Sequence, residues 1–65
     1  MYLLEALAKR LEGDVAVHKA NIQVYLDAPA GIGEHPQIIE ALESEVAKLA
    51  ESHEKLDTVL ELLGE

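Results

Sequence analysis

The stretch IIEALESEVAKLAESHEKLDTVLELL, residues 38–63, decides the fold. Ile39, Leu42, Val46, Leu49, His53, Leu56, Leu60 and Leu63 alternate steps of three and four through it without a slip. Between them lie Glu40, Glu43, Glu45, Lys48, Glu51, Glu54, Lys55 and Glu61. A seam with this spacing, opposite a charged face, belongs to a helix that packs against another helix. Glu51 and Lys55 add an i,i+4 pair in the better orientation, acid first. The spacing predicts a helix over about residues 36–63, with Pro36 in its first turn, where the missing N–H costs nothing.

Upstream, residues 28–35 read as a loop. The run from Asp27 to Pro36 holds both prolines and two of the four glycines, a density that breaks any regular element. Before it, Leu4, Ala8, Leu11, Val15, His18, Ile22 and Tyr25 step by four and three again, which predicts a first helix over about residues 2–27. His18, Ala20, Ile22, Val24 and Leu26 also alternate with polar neighbours in the manner of a strand. A lone strand has no partner in this chain, and the seven-residue pattern accounts for more residues, so helix is preferred. Gly13 costs about 1 kcal/mol relative to alanine inside a helix; one long helix is preferred, with a kink or break at Gly13-Asp14 as the rival.

The two seams fit as an antiparallel hairpin. Pairing Tyr25 with Ile39 sets Ile22 on Leu42, His18 on Val46, Val15 on Leu49, Leu11 on His53, Ala8 on Leu56 and Leu4 on Leu60. At the flanks Leu7 falls near Val59 and Lys19 near Glu43, while Glu5 near Asp57 is a like-charge contact. The fold class expected is all-α, one helical-hairpin domain over residues 1–65. A chain this short buries only about 60% of its unfolded surface. With no cysteine for disulfides, association with a partner subunit is the common remaining way to complete the core. Leu3, Ala6, Gly13, Val17, Ala20 and Val24 lie away from the first seam and form the expected oligomer interface. A homo-oligomer follows, a dimer closing a four-helix bundle with the first helices central. Another protein is a further candidate partner for that face.

Composition removes several function classes. Thirteen acidic residues against five basic ones leave a net charge of −8, which repels nucleic acid and anionic membrane surfaces. Tyr2 and Tyr25 are too few for a base-stacking platform. No apolar run approaches the ~20 residues of a membrane span. Met1-Tyr2-Leu3-Leu4-Glu5 lacks a basic region ahead of its apolar residues, so cytoplasmic residence is expected.

Chemistry-bearing residues are sparse. His18 and His53 sit on the seams, separated in this register by ~10 Å along the hairpin. Neither helix carries a Glu-x-x-His repeat, so no metal and no cofactor is expected. Ser52-His53-Glu54 are consecutive on a helix and their side chains diverge, and two thin helices offer no enzymatic pocket, so no catalytic residue is named. The loop Gly31-Ile32-Gly33-Glu34-His35-Pro36 precedes a helix N-terminus, and Gly31, Gly33, Glu34 and His35 are the candidate ligand or partner loop. The dinucleotide fingerprint requires a third glycine and a preceding strand, both missing here, which favours turn formation over ligand binding. The function expected is a non-catalytic assembly or protein-interaction module. The alternative is a small-ligand or metal-binding bundle using His18, His35 or His53.

The run Val24-Tyr25-Leu26-Asp27-Ala28-Pro29-Ala30-Gly31-Ile32-Gly33-Glu34-His35-Pro36 resembles a segment of small, acidic, uncharacterised helical proteins of phage and marine-metagenome origin. The likeness runs from about His18 into the second helix, with Gly-Ile-Gly-Glu-His at its centre. It implies a helical fold and assigns no residue a role.

Overall fold

The computed structural model describes residues 1–27 and 37–64. They form two helices, α1 (Tyr2–Asp27) and α2 (Ile38–Gly64), folded into an antiparallel hairpin 46 Å long and 14 Å across. The candidate loop residues Gly31, Gly33, Glu34 and His35, and Pro36 with them, lie outside the described residues.

α1 is continuous through Gly13, so the break at Gly13-Asp14 does not occur. The strand-like stretch from His18 to Leu26 is helical as well. Helix turns Ile22 and Tyr25 onto the same side as Ala8, Leu11 and Val15, and all five are at least half-buried there. Glu5 in the first turn of α1 and Glu40 in that of α2 complement the positive ends of the helix dipoles.

The predicted seam of α1 is the observed one. Leu4, Ala8, Leu11, Val15, His18, Ile22 and Tyr25 are all buried or half-buried. The seam of α2 differs from the prediction. Leu42, Leu49, Leu56 and Leu63 face α1 as expected, but Ile38, Glu45, Ser52 and Val59 flank them. Ile39, Val46, His53 and Leu60, one residue further along, are exposed. Stepping back one residue turns the contact column through about 100° around the helix. The core cluster is Ala8, Leu11 and Val59, with Leu4, Leu56 and Leu63 packed against it. That set brings Leu4, Ala8 and Leu11 of α1 together with Leu56, Val59 and Leu63 of α2.

Polar matching explains the rotation. The predicted register puts His53 against Leu11 and His18 against Val46, each an imidazole facing an apolar side chain. The observed packing sets His18 against Glu45, and small Ser52 and bulky Leu11 line the same recess. Among the described residues no buried side-chain nitrogen or oxygen lacks a partner. Leaving a buried polar group unpaired costs about 1–3 kcal/mol, the same order as burying the one extra aliphatic side chain that the column of Ile39, Val46 and Leu60 would bring. Lys19 forms no ion pair with Glu43; the lysine pairs among the described residues are Lys9–Glu12, Lys48–Glu45 and Lys55–Glu51.

Candidate functional site

Two features stand out on this scaffold: a polar step inside the seam, and apolar stripes that the hairpin leaves uncovered. The polar step is built from both helices. Glu45 Oε1 accepts from Asn21 Nδ2 at 2.9 Å and lies 3.0 Å from His18 Nδ1. Asn21 follows His18 by three residues, so one turn of α1 delivers both groups to a single carboxylate. Lys48, one turn along α2, reaches the other oxygen of Glu45 at 3.5 Å. The Asn21 amide, then the His18 ring, hold the Glu45 carboxyl below its ordinary pKa. Glu51 is likewise lowered, by its 2.7 Å contact with Lys55.

His18 is therefore engaged by a carboxylate across the seam, and His53 stands apart from it on the exposed column of α2. Among the described residues no three His, Asp or Glu side chains come together as a metal set. An open groove of about 540 Å³ is lined by Leu7, Leu11 and Val59 together with Arg10, Asp14 and Lys55. It puts Leu7 near Val59, as the flank pairing anticipates.

The apolar stripes are the larger feature. Leu3, Ala6, Gly13, Val17, Ala20 and Val24 of α1 are all exposed, so the expected oligomer interface is surface in the single chain. A Cβ added at Gly13 would meet nothing within 4 Å. On α2, Ile39 is 72% exposed and Val46 and Leu60 are each 48% exposed. Sequence reasoning assigned that column to the hairpin core and so missed it as surface. The signal that could have found it was the pair His18 and Asn21, which needs a polar partner opposite. No described helix is long and apolar enough to cross a membrane.

No protein family matches the chain, and no curated protein or solved structure is significantly similar to it.

Proposed function

We propose that the protein is a non-catalytic assembly module: a helical hairpin that associates with further copies of itself, a dimer completing a four-helix bundle. The observation that carries this reading is the apolar surface the hairpin leaves uncovered: Leu3, Val17 and Val24 of α1 and Ile39, Val46 and Leu60 of α2 are all exposed. Apolar surface of this extent on a small chain marks an interface. Among the described residues only Ala8, Leu11, Val15 and Val59 make up the buried apolar core, and no large side chain is fully enclosed. A core that thin calls for a partner to complete it.

Two faces are available for the contact, the α1 stripe of Leu3, Ala6, Gly13, Val17, Ala20 and Val24 and the exposed column of α2. The test is thermal unfolding over a hundredfold range of protein concentration. An associating hairpin unfolds at a midpoint that rises with concentration, because mass action favours the folded oligomer. A midpoint independent of concentration would remove the proposal. Gly13→Leu then reports on the α1 stripe, since a Cβ added there meets nothing within 4 Å and the position is exposed in the single hairpin. A loss of mass with helix content intact puts Gly13 in a contact between copies; an unchanged mass removes it from one.

A further inference from the structure

We infer that the principal contact between copies is the outer seam of α2, paired antiparallel with the same seam of a second copy. This rests on the self-association proposed above and names its surface. α2 carries one unbroken seam, Ile39 to Leu63, of which α1 uses a single edge. The leucines at 42, 49, 56 and 63 face α1 yet stay only half-buried, and the column beside them, Ile39, Val46, His53 and Leu60, has no cover.

Three observations point to a second copy as the occupant. First, the seam holds no charged residue along its whole length, with His53 its one polar member. The α1 stripe is interrupted by Arg10 within the row of Leu3, Val17 and Val24, and is bordered by Asp14 and Asn21. Second, the seam is complementary to its own reverse. A twofold axis at Glu51 sets Ile39 on Leu63 of the other copy, Leu42 on Leu60, Val46 on Leu56 and Leu49 on His53, so that all eight positions find a mate. An antiparallel helix pair requires that alternation of layers, and a symmetric contact requires that self-match. Third, Ile39, Val46 and Leu60 stay exposed in the single hairpin, so α2 offers the longer uninterrupted apolar surface for a contact between copies.

The two stripes look in different directions. Val24 lines a recess with Asn21, Tyr25 and Glu45 on the face that carries the groove, and the seven-residue geometry turns the column of Ile39 and Val46 to the other face. One twofold contact cannot bury both, so substitutions separate them.

The experiment is the solution mass, by light scattering, of the wild-type chain, Ile39→Glu/Leu60→Glu and Val17→Glu/Val24→Glu, with helix content followed by circular dichroism. All four positions are exposed in the single hairpin, so the substitutions leave its own core intact. The expected result is an associated wild type, halved in mass by Ile39→Glu/Leu60→Glu with helix content retained, and left unchanged by Val17→Glu/Val24→Glu. An unchanged mass for Ile39→Glu/Leu60→Glu overturns the α2 contact while leaving self-association in place. A monomeric wild type overturns both.

Discussion

α1 and α2 have nearly equal lengths and seams of equal period, yet one packs as its pattern predicts and the other is turned by a residue. The difference lies in how much each seam leaves to choice. On α1 the apolar column is flanked by Glu5, Glu12 and Lys19 on one side, so it has a single orientation towards a partner. On α2 three adjacent columns are apolar in part, and the leucines at 42, 49, 56 and 63 can be shared with either neighbouring column. Apolar content alone favours the column of Ile39, Val46 and Leu60 over that of Ile38 and Val59. Polar contact selects the other, because Glu45 gives His18 and Asn21 a common acceptor. Buried polar groups are known to set register in helix pairs at some cost in stability.

The largest effect expected from this contrast is at Leu11, which is 5% exposed in the core cluster. Leu11→Ala removes about 2–4 kcal/mol, the cost of a core cavity, and in a domain this small lowers the melting temperature by ten degrees or more. Val46→Ala, on the column the hairpin leaves outside, barely changes the unfolding of dilute, dissociated chain. If the two substitutions prove equally damaging there, Val46 is inside the hairpin and the rotation is wrong.

Next in size is the polar step. Glu45→Leu keeps apolar bulk in the seam but strips His18 and Asn21 of their acceptor, and should lower the melting temperature at neutral pH. The linkage has a definite sign. The folded-state pKa of Glu45 is depressed below the ordinary 4.5, so its stabilisation is present above that pH and is lost as pH falls through the depressed value. Melting temperatures measured from pH 7 down to the acid range should therefore fall more steeply for wild type than for Glu45→Gln. Parallel profiles would detach Glu45 from the account. Gly13→Ala is expected to raise the stability of the dissociated hairpin by about 0.5–1 kcal/mol, since it improves helix propensity at a position with open space. The smallest change is expected for Glu51→Ala, which breaks an exposed pair with Lys55; its melting curve should overlay that of wild type in high salt, where such pairs are screened.

Seen from these residues, the two helices and their antiparallel pairing were legible because period and loop composition are local signals. Every seam residue of α1 could be named from spacing. The face of α2 could not, since the choice between Ile39/Val46 and Ile38/Glu45 depends on which side chains oppose them from α1. Glu45 read as solvated surface on its own helix; only its placement across from His18 and Asn21 makes it an acceptor within the seam. The α1 stripe of Leu3, Val17 and Val24 was legible as apolar surface, whereas the α2 stripe was hidden by assignment to the core.

Self-association of this hairpin is tested most directly by its molar mass in solution, measured by light scattering across a range of concentrations. The account predicts a mass of two chains, or a multiple of two, at micromolar concentration and above. A mass of 7.1 kDa, that of one chain, held throughout that range would contradict it.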